Sequence, residues 1–170
     1  MSVGIIGTSH TKVGRLDKTV YELMEEAGKE ALKDSGVDAK KIDGIWIGNY
    51  SGGGFNKQEH LAPYAVNIDE DLRFTPATRV ENACASGSAA IKDARNALLA
   101  GEVDYALVIG VEKMTDLDTR GVTEVLAMAS YWPKEGKEGM TFPGLFAEYA
   151  KGYMEEYGYD QDQLREMLAK

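Results

Sequence analysis

The chain has 170 residues, enough for one domain with a substantial hydrophobic core and too few for two domains of average size. Apolar residues make up 44% and charged residues 28%, as in ordinary globular proteins, so a disordered tail, a fibre and a disulfide scaffold are excluded. Its 19 Lys and Arg against 28 Asp and Glu give a net charge of -9, which disfavours binding to nucleic acid or to an anionic membrane.

The start of the chain predicts its location in the cell. Residues 1–7 have neither the basic start nor the apolar run of a signal peptide. Apolar stretches elsewhere are short and interrupted by glycine or charge, so no membrane span is predicted. We therefore expect a cytoplasmic protein. In that reducing compartment the single cysteine is either a small buried hydrophobe or a working thiol.

Strand and helix patterns alternate along the first two thirds of the chain. Four apolar or β-branched runs are predicted to be strands, at residues 3–6, 42–47, 77–81 and 105–111. Apolar residues at helical spacing predict a helix from Val20 to a stop at Gly36, and a short helix is predicted over 57–66. The small residues of 85–100 predict a helix that packs closely. This order predicts an α/β fold, a layered, mostly parallel sheet with helices on both faces.

The pattern changes after Thr115. Residues 116–139 mix charge, glycine and apolar residues without a clean period, whereas 142–157 look helical and Asp160 opens a last helix. That last helix is still periodic where the chain stops, which suggests missing sequence. We predict two domains, residues 1–114 and a second over 115–170 that is truncated at its C-terminus.

Cys84 lies where a predicted strand turns into a predicted helix. A helix N-terminus presents unpaired N–H groups and the positive end of a dipole, which stabilise a thiolate and can receive a developing oxyanion. The small residues behind Cys84 would let the helix approach the sheet and hold a nucleophile rigidly. The alternative is a structural cysteine buried in a tight packing site, and composition alone favours that alternative.

Two motifs connect the chain to a known family. Residues 80–87, Val-Glu-Asn-Ala-Cys-Ala-Ser-Gly, resemble the active-site cysteine segment of the thiolase superfamily. Residues 108–114, Val-Ile-Gly-Val-Glu-Lys-Met, resemble the strand and Gly-x-Glu-x-Met signature that follows it in thiolases, at the family's spacing. Residues 142–157 look like the loop-domain helix of the archaeal, sterol-carrier-protein-like branch of acetyl-CoA acetyltransferases. The resemblance covers residues 4–170 and implies the N-terminal half of a thiolase fold with part of its loop domain.

The resemblance implies a Claisen condensation of two acetyl-CoA molecules to acetoacetyl-CoA, or the reverse thiolysis, through an acyl-cysteine at Cys84. The backbone N–H of Cys84 would help to hold the acyl oxygen. By motif position, Phe142 and Pro143 match family residues that line the acyl pocket, and Phe146 from the same aromatic cluster is a further candidate for substrate binding. Coenzyme A thioesters are substrates in this chemistry, so no cofactor and no metal is expected.

The chain departs from the complete family pattern in its catalytic bases. The family uses an activating His, a second Cys or equivalent base and another His, all from its C-terminal half. This chain has one Cys, and its two histidines, His10 and His60, precede Cys84 in unrelated motifs. We therefore expect the chain to be inactive by itself, or to work with the missing C-terminal half or with a partner chain that supplies it.

Partners and rival functions follow from the same resemblance. It implies a homodimer or tetramer paired through the sheet edge that precedes Cys84, and association with hydroxymethylglutaryl-CoA synthase through a zinc-ribbon and OB-fold protein. One rival is a condensing enzyme related to ketoacyl synthase III or hydroxymethylglutaryl-CoA synthase, against which residues 112–114 argue. The other is a non-catalytic, thiolase-like subunit that binds acyl-CoA or serves as a scaffold.

Two further patterns are weak candidates for ligand sites. The run Gly52-Gly53-Gly54 could cradle a phosphate, but no Lys-Ser or Lys-Thr follows, so a flexible turn is the better interpretation. Neither histidine has metal-ligand spacing to other ligands, and a lone polar-loop histidine is usually a solvated residue.

Overall fold

A computed structural model describes residues 2–169. The chain divides into two compact units, Met1–Leu117 and Asp118–Lys170. The assignment of residues 115–170 to a partial loop domain remains a prediction. Within residues 2–169, no helix combines the length and the apolar character needed to cross a membrane.

The first unit is built on a parallel sheet of three strands. The strands are β1 (Gly44–Gly48), β2 (Ala77–Val80) and β3 (Ala106–Gly110), in the order β2-β1-β3. Gly48 pairs in register with Val80 on one side and with Gly110 on the other, so the three carboxyl ends lie level. Residues that follow the three strands are thereby brought to one edge of the sheet.

Helices cover both faces of this sheet, as the sequence predicts. On one face Ile45 and Ile47 of β1 are fully buried in a core with α1 (Val20–Ser35) and the 3₁₀ turn Ala62–Asn67. Side chains alternate along a strand, so Gly48 lies on the opposite face from Ile47. There a Cβ atom on Gly48 would come within 2.7 Å of the Cα of Gly87, at the start of α3 (Ser86–Ala100).

The small-residue helix packs as expected. Ala90, Ala94 and Ala97 are buried along one side of α3, and α3 ends where Gly101 adopts a left-handed conformation with φ +74°. Alanine side chains keep the distance between a helix and a sheet short, so the start of α3 lies directly against the ends of β1 and β3. This contact places the residues just before α3 at the carboxyl edge of the sheet.

The predicted strand at residues 3–6 is wrong. The segment has no regular secondary structure, and Val3, Ile5 and Ile6 are exposed. It lies along α1, where the Thr8 N–H donates to Asp34 at 2.8 Å. A β-branched run becomes a strand only by pairing with a neighbour, and within residues 2–169 β1 pairs with β2 and β3 while this segment pairs with none of them.

The segment between β1 and β2 also differs from its prediction. The glycine run expected to be a turn begins a short helix, α2 (Gly52–Asn56), which ends because Lys57 takes a left-handed φ of +59°. The helix predicted over 57–66 is replaced by the 3₁₀ turn Ala62–Asn67, with Pro63 in its first turn. Proline cannot donate the hydrogen bond that a longer helix through this position would need.

The second unit is helical. Its helices are α4 (Thr119–Ala127), α5 (Phe142–Tyr157) and α6 (Gln161–Leu168). The last two match the prediction, and Asp160 caps α6 by accepting the Gln163 N–H at 2.8 Å. Helix α4 lies in the part predicted to be irregular, and Asp118 caps it by accepting the Gly121 N–H at 2.8 Å.

Candidate active site at the start of helix α3

Cys84 lies between β2 and α3, inside the 3₁₀ turn Ala83–Ala85. Its side chain is exposed, so it is not the buried packing cysteine that composition alone favours. Because Val80 is level with Gly48 and Gly110, the turn stands at the carboxyl edge of the sheet. An exposed thiol at the head of a helix can meet a reagent from solvent, and its catalytic role remains a prediction.

The residue before Cys84 has an unusual backbone. Ala83 adopts a left-handed conformation with φ +47°, a region that residues with a Cβ atom enter at a cost of about 1 kcal/mol or more. Its N–H donates to the Glu81 carboxylate at 2.5 Å. The chain therefore reverses sharply between β2 and α3, and Cys84 is the residue after the reversal.

Ser86 holds the same turn from its inner side. The side chain is buried, and its hydroxyl accepts the Asn82 N–H at 2.9 Å while donating to the Ala83 carbonyl at 2.7 Å. The Ala85 N–H also donates to the Asn82 carbonyl, at 2.9 Å. Three hydrogen bonds thus fix the backbone on both sides of Cys84.

The backbone N–H of Cys84 remains available. Its neighbours Ala83 and Ala85 donate to Glu81 and Asn82, whereas within residues 2–169 the Cys84 N–H has no protein acceptor. The first N–H groups of a helix lack intrahelical partners and point toward its N-terminal end. An oxyanion formed on a group attached to Cys84 could accept this N–H.

A carboxylate at the end of β3 organises the loop after β1. Glu112 is half-buried and accepts three donors: the Tyr50 N–H at 2.7 Å, the Asn49 amide at 3.1 Å and the Ser51 N–H at 3.3 Å. Asn49 is fully buried and gives its second amide bond to the Val111 carbonyl at 2.9 Å. Sequence alone could only match Glu112 to a family signature. In the structure Glu112 links the ends of β1 and β3 through hydrogen bonds.

The environment of Glu112 shifts its acidity. Burial raises the pKa of Glu112 above the ordinary glutamate value. The hydrogen bonds from Tyr50, Ser51 and Asn49, with the positive charge of Arg79, oppose that increase without cancelling it. All of the hydrogen-bonding partners of Glu112 are donors, so an acceptor-only side chain suits this position.

Arg79 extends this network to β2. Its guanidinium donates to the Asn49 side-chain oxygen at 2.9 Å and pairs with Glu59 at 3.3 Å. A second cation, the buried Lys113, donates to the Leu16 carbonyl at 2.6 Å. Polar groups therefore tie all three strand ends together on the edge where Cys84 stands.

Tyr50 is a site residue that the sequence did not reveal. Burial raises the pKa of its phenol, and the negative charges of Glu81, Glu112 and Cys84 raise it further. The phenol of Tyr50 is therefore within electrostatic range of all three groups. The signal available in the sequence is a polar segment directly after an apolar strand, the place where parallel sheets collect functional residues.

The three residues predicted for the substrate pocket lie in the second unit. Phe142 and Pro143 begin α5, after Thr141 caps it by accepting the Gly144 N–H at 3.2 Å. Phe146 is exposed one turn later, with its ring 6.1 Å from that of Phe142. Because Cys84 belongs to the first unit, their role in a substrate pocket remains a prediction.

The two histidines and the cavity beside β2 provide no second candidate for a catalytic site. His10 and His60 are exposed, and within residues 2–169 no three His, Cys, Asp or Glu side chains are grouped so that they could hold a metal ion. A cavity of about 520 Å³ lies beside β2, and Cys84 does not line it. Its walls include Ile45, Pro63, Leu72, Arg73 and Ala77.

The fold and the motifs define an α/β protein of the thiolase class. A family model described as "Thiolase, N-terminal domain" matches residues 3–167, so the chain belongs to the thiolase family and the predicted resemblance is confirmed.

Individual relatives agree with this family. The chain is 40% identical over 163 residues to an acetyl-CoA acetyltransferase of Methanothermobacter thermautotrophicus, covering 95% of this chain and 42% of that protein. It is 42% identical over 163 residues to an acetyl-CoA acetyltransferase of Methanocaldococcus jannaschii, covering 95% and 41%. The chain thus spans about two fifths of the length of these relatives.

A solved structure shares the fold. The acetyl-CoA acetyltransferase from Syntrophomonas wolfei superposes with a TM-score of 0.52 at 24% identity, over 61% of this chain and 27% of that one. At this identity the likeness supports the fold alone.

Proposed function

We propose that the chain carries the nucleophile of an acyl-CoA acyltransferase that condenses two acetyl-CoA molecules to acetoacetyl-CoA, or runs the reverse thiolysis. The observation that carries the proposal is the exposed thiol of Cys84 at the head of α3, beside its own unpaired N–H. Membership of the thiolase family and similarity to two archaeal acetyl-CoA acetyltransferases support it.

The first half-reaction is acyl transfer to sulfur. The Cys84 thiolate attacks the thioester carbonyl, and the carbonyl oxygen becomes an oxyanion that accepts the Cys84 N–H. The carbon–sulfur bond to coenzyme A then breaks, and the coenzyme A thiolate takes up a proton. The products are acetyl-Cys84 and free coenzyme A.

The second half-reaction forms the carbon–carbon bond. A base removes a proton from the methyl group of a second acetyl-CoA, and the resulting carbanion attacks the acetyl carbon on Cys84. The bond to the Cys84 sulfur breaks, which releases acetoacetyl-CoA and restores the thiolate. In reverse, the same steps cleave acetoacetyl-CoA with coenzyme A. Coenzyme A thioesters are the substrates, and we propose no cofactor and no metal.

The required base comes from outside this chain. Glu112 and Glu81 are occupied by N–H donors, and both histidines are exposed in segments that precede β2. We infer that the further length present in the relatives, or a partner chain equivalent to it, supplies the base and a second oxyanion donor. The 170-residue chain by itself is then unable to complete the condensation.

We also propose that the protein works as a dimer or tetramer in the cytoplasm. Within residues 2–169, β2 has β1 on one side only, and an open strand edge is a surface for strand pairing. A reducing compartment keeps a nucleophilic thiol free. The proposed association with hydroxymethylglutaryl-CoA synthase through a zinc-ribbon and OB-fold protein rests on the family resemblance.

Labelling with acetyl-CoA tests the enzyme. The chain co-purified with the C-terminal region of the Methanothermobacter relative is expected to form an acid-stable acetyl adduct, found by mass spectrometry on the peptide that contains Cys84. The C84A variant, prepared in the same way, should form none. The chain alone should not cleave acetoacetyl-CoA, and robust thiolysis by it would contradict the missing-base argument.

Iodoacetamide separates the enzyme from a scaffold. An activated Cys84 is expected to react faster than the thiol of glutathione at the same pH. If alkylation is no faster and no acetyl adduct forms with the C-terminal region present, the enzyme proposal fails. Binding of acetyl-CoA without an adduct would then support the acyl-CoA-binding or scaffold function.

A further inference from the structure

The N–H of the strained residue before Cys84 is held by a nearby side chain. Ala83 has a φ of +47°, and its N–H donates to the carboxylate of Glu81, two residues earlier, at 2.5 Å. An alanine leaves the left-handed region readily unless a contact holds it there. Hydrogen bonds to a charged group are about twice as strong as those between neutral groups, so this contact can offset the cost of the conformation.

The position of Glu81 gives this bond a functional consequence. Glu81 follows the last residue of β2, and its side chain is exposed, so it adds nothing to the hydrophobic core. Its carboxylate returns to the backbone of the turn that carries Cys84. Ser86 braces the other side of that turn through Asn82 and the Ala83 carbonyl, leaving the Ala83 N–H to Glu81.

Glu81 is also close enough to the site for its charge to matter. The negative charges of Glu81 and Cys84 both raise the pKa of the same phenol, that of Tyr50. The carboxylate and the thiol therefore share one polar neighbourhood at the carboxyl edge of the sheet.

We propose that Glu81 is a positioning residue for the nucleophile: its carboxylate keeps Ala83 left-handed, so that Cys84 stays at the head of α3 with its N–H free. The purpose of this positioning rests on the proposed function, in which the turn presents Cys84 for acyl transfer. The hydrogen bond and the conformation it maintains can be tested without that function.

Alkylation rates of three variants test the proposal. Cys84 is the one cysteine of the chain, so iodoacetamide reports on this thiol alone. E81A and E81Q both remove a negative charge, which by itself favours the thiolate, but E81A also removes the acceptor and is expected to react about fivefold more slowly than E81Q, as the turn relaxes and the thiol leaves the helix start. E81Q keeps a side-chain oxygen that can accept the N–H, so its rate should be no lower than that of the unchanged chain.

The double variant E81A/A83G separates positioning from any other role of the carboxylate. Glycine enters the left-handed region without the Cβ penalty, so the turn no longer needs the Glu81 bond. Alkylation is expected to return to nearly the rate of E81Q, which lacks the same charge. Circular dichroism verifies that each variant is folded. Equal rates in E81A and E81Q, or no recovery in the double variant, would each overturn the proposal.

A second test does not depend on the reactivity of the thiol: NMR measures amide hydrogen exchange at Ala83. Exchange should accelerate about fivefold in E81A and little in E81Q, because only the first loses the acceptor. If the unchanged chain alkylates no faster than a free thiol and forms no acetyl adduct with the C-terminal region present, but exchange behaves as expected, the proposed function fails while the positioning contact stands. If exchange is equal in E81A and the unchanged chain, the contact is absent and the positioning role falls.

Discussion

Helices α1 and α3 of the first unit begin in opposite ways. Before α1, the Thr19 hydroxyl accepts the Glu22 N–H at 3.2 Å and the Glu22 carboxylate accepts the Thr19 N–H at 2.7 Å, a complete capping box. Before α3, the capping position is Ala85, which has no side-chain hydrogen bond, and the chain enters through the strained Ala83.

The two helix starts serve different purposes: the start of α1 stabilises its helix, whereas the start of α3 keeps an N–H donor available. A capping box satisfies the N–H groups at a helix start and stabilises the helix. The start of α3 leaves the Cys84 N–H open and is held instead by Ser86 and by the close contact of two glycines. A helix start that binds a ligand has to keep donors free, so its support comes from residues around it.

The glycine contact gives the largest expected effect. In G48A the new Cβ would lie 2.7 Å from the Cα of Gly87 and 2.8 Å from the carbonyl oxygen of Ser86, both backbone positions that cannot rotate away. We expect a loss of about 2 to 3 kcal/mol in the free energy of unfolding, measured by urea denaturation. G87A is the matched control, because its Cβ would meet no atom within 4 Å. Equal losses in both variants would show that the contact does not support α3.

Removing the Ser86 hydroxyl is the next test. S86A loses one bond with the Asn82 N–H and one with the Ala83 carbonyl, so we expect a loss of about 1 to 2 kcal/mol in unfolding free energy. Alkylation of Cys84 by iodoacetamide should slow in parallel. A stability loss without any change in alkylation would mean that Ser86 supports the helix and not the turn.

Removing the cap of α1 should have a smaller and purely structural effect. T19A loses the capping oxygen and is expected to cost about 1 kcal/mol in unfolding free energy. T19S retains the hydroxyl and should be nearly neutral. Alkylation of Cys84 should be the same in both variants and in the unchanged chain. A slower reaction in T19A would show that the two helix starts are coupled.

The smallest expected effect is a pH dependence that comes from Glu112. Its pKa is raised in the folded chain by burial, so on raising the pH the unfolded chain loses this proton first. The contribution of the protonated Glu112 carboxyl to the free energy of unfolding is complete below the ordinary glutamate pKa. It is lost as the pH rises through the raised pKa of the folded chain. Relative to E112Q, the unchanged chain should therefore be more stable at about pH 4 than at about pH 7 in urea denaturation. The opposite trend would contradict the direction of the pKa shift.

The regular elements were predictable because their signals are local. The three-strand core, α1, α3, α5 and α6 follow from apolar runs, helical spacing and stop glycines that short stretches of sequence display. Residues 3–6 show the limit of this approach, since their β-branched run carries the strand signal but pairing depends on distant residues. Helix α4 was missed because its segment lacks a clean apolar period.

The site was predictable at one residue and hidden at the others. Cys84 was found because its place between a strand and a helix is visible in the sequence. Asn49 and Tyr50 follow β1 whereas Glu112 follows β3, and only the register of the sheet brings them together. The left-handed Ala83 leaves no sequence signal, since alanine is an ordinary helix residue and not a turn former.

The strand order has a consequence for the chain during its synthesis. β1 is the central strand, yet it is made first, and both of its partners are made later. Until the ribosome has passed Gly110, the apolar run Ile45, Trp46 and Ile47 lacks at least one flanking strand, and such an open edge can pair with other nascent chains. Translation products that stop before β3 should therefore aggregate or depend on chaperones.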